Sequence, residues 1–179
     1  MSKRRSLVAI IALVTAALLV TVVYANLSKG TKAPNFTLPT VKGKSFTLSN
    51  CFKSPRKVVV LDLWATWCPP CKAEIPYLIK LHNKYTGKGA MVVGVSLDSD
   101  KAKAVAYAKE KGIKYTVPLD PKGDKLGESY KIRGIPVTYV IDKKGMIRYV
   151  HSGFPRDEAQ QKKEAAKMES EVEKLLAEK

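Results

Sequence analysis

Val58-Val59-Val60-Leu61-Asp62-Leu63-Trp64, continued by Ala65-Thr66-Trp67-Cys68-Pro69-Pro70-Cys71, is the stretch whose reading decides the architecture. Its first seven residues form a nearly continuous apolar run rich in β-branched side chains, the composition of a central strand buried on both faces. One acid, Asp62, sits inside it. Beyond the run, Ile75, Leu78, Ile79 and His82 recur at helical spacing. A helix is therefore expected from Pro69 to Tyr85, kinked at Pro76, which cannot donate a backbone hydrogen bond. Cys68 and Cys71 thus fall where a buried strand turns into a helix. There the unpaired amides and the helix dipole stabilise a thiolate and lower the pKa of the first cysteine. Cys71, inside the first turn, can reach back to the sulfur of Cys68.

Two chemistries use this cysteine spacing. In thiol–disulfide exchange, Cys68 attacks a disulfide and Cys71 resolves the mixed disulfide, the difference in role following from exposure. A zinc site needs four ligands, and the chain has no second cysteine pair and only His82 and His151 besides. No metal or added cofactor is expected beyond a redox-active Cys68–Cys71 disulfide. Pro69 and Pro70 have no amide to offer the Cys68 thiolate, which disfavours the thiolate and hence favours the disulfide. That predicts a couple on the reducing side.

Working outward, Phe36-Thr37-Leu38 and Ser45-Phe46-Thr47-Leu48 alternate around Val41-Lys42-Gly43-Lys44 and read as a β-hairpin ahead of the main unit. Met91 to Leu97 reads as a second buried strand. Asp98, Ser99 or Asp100 would cap a helix carrying Ala102, Val105, Ala106 and Ala108 and ending near Gly112. Tyr115 to Leu119 is expected as a short strand and Asp124 to Tyr130 as a short helix. Val137 to Ile141 and Met146 to Ser152 form a hairpin about Asp142-Lys143-Lys144-Gly145. From Arg156 onward a helix aligns Ala165, Met168, Val172, Leu175 and Leu176 on one face.

Leu7 to Tyr24 contains eighteen uncharged residues, enough for a helix of ~27 Å, close to the thickness of a bilayer's hydrocarbon core. Lys3, Arg4 and Arg5 precede it, so the positive-inside bias keeps that end in the cytoplasm and sends the remainder across. The expected organisation is a signal anchor over residues 1–27 and one extracytoplasmic domain over 28–179. A cleavable signal peptide ending at Val23-Tyr24-Ala25 is the rival reading. Of the net charge of +16, the first 27 residues carry +3 and residues 156–179 hold six basic and seven acidic groups, which leaves +14 on residues 28–155. So basic a domain beside a membrane suits anionic headgroups or acidic partner proteins, and its side of the membrane argues against nucleic acid. Three cysteines make an odd number, so Cys51 is expected as a small buried hydrophobe. His82 is expected to be half-buried on the apolar stripe of its helix.

Val58 to Pro76 resembles the active-site strand and helix of the thioredoxin superfamily. The fuller set, from Ala33-Pro34-Asn35-Phe36 to Gly134-Ile135-Pro136-Val137-Thr138, resembles its membrane-anchored TlpA/ResA-like branch over nearly all of residues 33–155. The resemblance implies an α/β thioredoxin-like fold, a central mixed sheet flanked by helices, and a thiol–disulfide oxidoreductase. It further implies a location in the periplasm or extracytoplasmic space, protein thiol or disulfide substrates such as apocytochrome c, and electrons from a membrane thiol carrier of the CcdA or DsbD type. Residue by residue, Ile135-Pro136 matches the cis-proline loop beside the cysteines, and Asp62 matches the buried acid of thioredoxin that takes the proton of Cys71. Asparagine is expected at that place in this branch, so Asp62 departs from its pattern. Glu74 matches an active-site glutamate of the ResA-like group, and Trp67 a tryptophan that shields the disulfide. Trp67, Pro69, Pro70, Ile135 and Pro136 are thus the candidate substrate contacts.

Two other functions share this fold. Gly30 to Leu38 also resembles the N-terminal region of peroxiredoxins, but Ala65 stands where their peroxidatic motif has a threonine. Copper-handling relatives separate their cysteines by three residues and add a distal histidine, for which His151 is the candidate.

Overall fold

The computed structural model describes residues 27–178. The proposed anchor or signal segment therefore lies outside the described residues, and among the described ones no helix is long and apolar enough to cross a membrane. Strand β3, Val58–Trp64, is buried along all seven residues. It occupies the interior of a four-stranded sheet of order β4-β3-β5-β6, in which β4 is Ala90–Ser96, β5 is Val137–Ile141 and β6 is Ile147–Ser152. β4 runs parallel to β3, whereas β5 and β6 are antiparallel to their neighbours. A mixed sheet of this kind needs cover on both sides, which is why β3 shows no polar alternation.

The period of two divides β3 between two cores. Val58, Val60 and Trp64 face helix α1 (Pro69–Tyr85), whose Ile75, Leu78 and Leu81 join them. Ala108 of helix α2 (Lys101–Glu110) and Met168, Val172 and Leu175 of helix α4 (Glu158–Ala177) complete that layer. Val59, Leu61 and Leu63 face the other way. There Leu38 of the N-terminal hairpin, Phe36 and Leu48 at its ends, and Leu126 of helix α3 (Leu126–Ser129) cover them. The hairpin is an antiparallel pair of β1 (Thr37–Pro39) and β2 (Ser45–Thr47), with Leu38 opposite Phe46. By the same parity Asp62 points toward α1, Gly94 lies beside it on β4, and Thr138 lies beside it on β5.

Several local expectations need correction. Tyr115 to Leu119 makes isolated bridges to Val93, Ser96 and Thr40 instead of a strand, because Pro118 has no amide for a ladder. The short helix begins at Leu126, not Asp124: Asp120 accepts from the amides of Lys125 and Leu126 and so sets where the turn starts. Asp100 alone caps α2, accepting from the Ala102 amide at 2.9 Å. The buried face of α2 is Ala104 and Ala108, while Val105 stands in solvent. Helix α4 begins at Glu158 behind its Asp157 cap.

Candidate active site

Cys68 occupies the N-cap of α1 in extended conformation, and Pro69 and Pro70 fill the first helical positions, where a missing amide costs nothing. Cys68 and Cys71 are joined by a disulfide. The Cys71 amide points at the Cys68 sulfur at 3.2 Å. With both prolines lacking N–H, it is the first amide of the turn that can do so. Exposure does not separate the two cysteines, since they are 3% and 1% exposed. Position does: Cys68 Sγ stands at the helix end, 3.6 Å from the Ile135 carbonyl oxygen, to which a reduced thiol can donate. Cys71 lies in the first turn above β3.

The Ile135–Pro136 bond is cis. It brings the Ile135 carbonyl to Cys68, with Pro136 buried and Ile135 half-buried. Trp67 is 67% exposed, beside Cys68 in sequence, and presents a large apolar face to solvent. Trp64 is core, its indole N–H donating to the Gly94 carbonyl at 3.1 Å. Asp98 holds the connection between β3 and α1. Its carboxylate accepts from the Thr66 amide at 3.1 Å and the Thr66 hydroxyl at 2.6 Å, and the Ser96 hydroxyl donates to it at 2.9 Å. The sequence offers Asp98 only as a helix cap; its true partner is 32 residues away.

One turn along α1 from Cys71, Glu74 forms a buried acid pair with Asp62 of β3. Asp62 and Glu74 are 1% and 2% exposed, so Glu74 is no surface first-turn residue. The two share one side-chain donor, the Thr138 hydroxyl, which is 2.9 Å from Glu74 Oε1 and 3.4 Å from Asp62 Oδ1, and Asp62 also accepts from the Leu63 backbone amide. One hydroxyl proton serves one carboxylate at a time, and the shorter distance gives it to Glu74. Glu74 Oε2 and the Tyr115 hydroxyl are buried with no hydrogen-bond partner. Burial first, then the neighbouring Glu74, pushes the Asp62 carboxyl well above the usual range. Burial raises Glu74 from 4.5 to about 7, opposed by the Thr138 hydrogen bond and by His151. Burial and the nearness of two like charges both favour a protonated form of the pair. Tyr115 reaches this pocket through a notch at Gly94, where an added Cβ would stand 2.9 Å from the Tyr115 ring.

Thr138, Tyr115, Gly94 and Asp98 escaped the sequence reading because each acts across strands or loops. The alternation within Pro136-Val137-Thr138 could have placed Thr138 on the Asp62 face. Cys51 is buried and free, its Sγ 3.5 Å from Met91 Sδ. Burial raises its thiol to about 11, which leaves it unreactive at neutral pH. His82 packs edge-on against Tyr115. Both ring nitrogens of His151 are engaged by Glu164 and Glu171, so its ring is turned to the C-terminal helix.

The sequence pattern of the AhpC/TSA family matches residues 29–150. The chain is similar to the thioredoxin-like protein YneN of Bacillus subtilis, 32% identical over 76% of this chain and 79% of that protein. It is also similar to the thiol-disulfide oxidoreductase ResA of Bacillus cereus, 33% identical over 66% of each. In three dimensions it is similar to a thiol:disulfide interchange protein of the thioredoxin family from Chlorobium tepidum. That match has a TM-score of 0.68 at 30% identity and covers 84% of this chain and 99% of that one.

Proposed function

The chain belongs to the AhpC/TSA family and is a thiol–disulfide oxidoreductase of the ResA type with a thioredoxin-like fold; on that premise we propose that it is a membrane-anchored, extracytoplasmic reductase of protein disulfides, apocytochrome c among them. The observation that carries this reading is the Cys68–Cys71 disulfide at a helix N-terminus beside cis-Pro136, one turn along α1 from Glu74 of the buried Asp62–Glu74 pair. In the reduced protein the Cys68 thiolate attacks a substrate disulfide and forms a mixed disulfide, releasing one substrate thiolate. Cys71 gives its proton to whichever carboxylate of the acid pair is ionised and attacks the Cys68 sulfur. The Cys68–Cys71 disulfide closes, the second substrate thiolate leaves, and two electrons have passed to the substrate.

Trp67, with Pro69, Pro70 and the Ile135-Pro136 loop, supplies the surface against which the substrate chain lies. Pro69 and Pro70 leave the Cys68 thiolate short of amide donors, which favours the disulfide and makes the couple reducing. An oxidising compartment requires that electrons be resupplied, which suits a membrane thiol carrier of the CcdA or DsbD type. Leu7 to Tyr24, with its basic flank, supports the anchor and the side of the membrane.

The test is equilibration of the protein with glutathione and dithiothreitol buffers, counting thiols. A reversible two-electron transition at a thioredoxin-like potential is expected, and a potential near those of strongly oxidising periplasmic enzymes would overturn the reductase assignment. Cys71→Ser should trap substrate proteins as mixed disulfides on Cys68.

A further inference from the structure

His151 lies on β6 directly opposite Thr138 of β5. Cross-strand partners share a face with Cβ atoms about 5 Å apart, so His151 faces the same layer as Thr138, the residue that donates to Glu74. The imidazole is 5% exposed. Its Nδ1 is 2.6 Å from Glu164 Oε1 and its Nε2 is 2.7 Å from Glu171 Oε2, both glutamates coming from α4. A carboxylate only accepts, and a neutral imidazole has one N–H, so two carboxylate partners suit a ring that carries a proton on each nitrogen.

We propose that His151, clamped between Glu164 and Glu171, is a positioning residue that holds a positive charge beside Glu74 and, with Glu164 as its opposing charge, sets how readily the acid pair takes the proton of Cys71. Neither ring nitrogen is directed at Glu74, so the influence is that of a fixed charge and not of a proton wire. His151 favours the ionised form of Glu74 and Glu164 opposes it. The groups that act on Glu74 or lie beside it are Asp62 from β3, Tyr115 from the segment after α2, Thr138 from β5, His151 from β6 and Glu164 from α4, while Glu171 of α4 holds the other nitrogen of His151. Lys167 is 3.6 Å from Glu164 and screens it in part. His151 supplies the cation among the groups that face Glu74 on this side.

A clamp that merely fastened α4 would be an odd use of three charges, because Met168, Val172 and Leu175 already bury that helix. Apolar residues of similar volume commonly do as well or better than a buried ion pair. The role rests on Glu74 handling protons in thiol exchange, but its test does not depend on turnover. The Glu74 carboxyl carbon is followed by NMR across pH in the oxidised full-length protein, labelled at glutamate and assigned by loss of the signal in Glu74→Gln. His151→Gln should move the Glu74 midpoint up by about one pH unit, whereas Glu164→Gln should move it down. A structural clamp would instead lower the melting temperature in both variants without opposite movements. Midpoints that shift in the same direction, or that stay where they are in both, overturn the proposal. Should His151→Gln fail to fold, Glu164→Gln decides alone, an unmoved or raised midpoint counting against it. Failure of thiol exchange in the unmodified protein would sink the reductase reading and leave this result standing.

Discussion

Asp98, in the loop after β4, and Asp62, inside β3, are buried to nearly the same degree, 3% and 1% exposed, yet the fold treats them in opposite ways. Around Asp98 the backbone amide and hydroxyl of Thr66 and the Ser96 hydroxyl converge on the carboxylate. Asp120 and Asp142 are handled likewise, the latter accepting from the amides of Lys144 and Met146. Asp62 and Glu74 contend for one threonine hydroxyl, and a Glu74 oxygen is left with none. Buried polar groups are ordinarily satisfied, and among the described residues the buried side-chain atoms without a partner are Glu74 Oε2, His82 Nδ1 and the Tyr115 hydroxyl. The acids at the rim hold loops in place, whereas Asp62 and Glu74 are the pair to which the proposed mechanism gives the proton of Cys71.

The comparison can be broken most easily at Asp98. Asp98→Ala strands the Thr66 amide and two hydroxyls and should cost about 3 kcal/mol of stability by denaturant unfolding; a loss under ~1 kcal/mol would show that its hydrogen bonds do not hold the loop. Asp62→Asn should act in the other direction. A carboxyl whose folded pKa is raised binds its proton more tightly in the native state, so its charge costs stability as pH rises. For Glu74 that cost accumulates between the ordinary 4.5 and about 7. Asp62→Asn should therefore stabilise the oxidised protein at pH 8 by on the order of 2 kcal/mol and have little effect at pH 4, seen as a flatter plot of melting temperature against pH. An equal gain at both pH values would mean that charge is not the cause.

A smaller effect is expected at the shared donor. Thr138→Val removes the hydroxyl that favours ionised Glu74 and should cost about 1 kcal/mol while shifting the break in the pH profile of thiol exchange upward. A profile that stays in place would show that Thr138 is only a core contact. The smallest change should come from Glu178, which binds Arg148 at 2.7 and 2.9 Å on the surface. Glu178→Gln should alter stability by about 0.5 kcal/mol or less, diminishing further with added salt; a cost like that of Asp98→Ala would remove burial as the distinguishing variable.

The central strand, the active-site helix from Pro69 to Tyr85, both hairpins and the C-terminal helix were legible because each writes its period and its end signals into contiguous residues. The strand expected from Tyr115 to Leu119 was not, since composition favoured it while Pro118 prevented a ladder. At the site, Cys68, Cys71, the cis-proline loop and the acids Asp62 and Glu74 were readable as candidates from motif and resemblance. Nothing in the sequence ranked the cysteines correctly by exposure, because the disulfide and the Ile135 loop bury both.

By itself the sequence determined that a reactive cysteine pair sits where a doubly buried strand meets a helix, and that two prolines withhold amides from the first sulfur. Those are local consequences of side-chain period and of which residues carry an N–H. Only the tertiary structure decided that Glu74 lies in the interior with Asp62, that the Thr138 hydroxyl stands between them, and that His151 stands opposite Thr138 between two glutamates. Such relations depend on strand register and on which helix covers which face. Desolvation and charge act through space over a few ångströms, so they join residues that the chain keeps far apart.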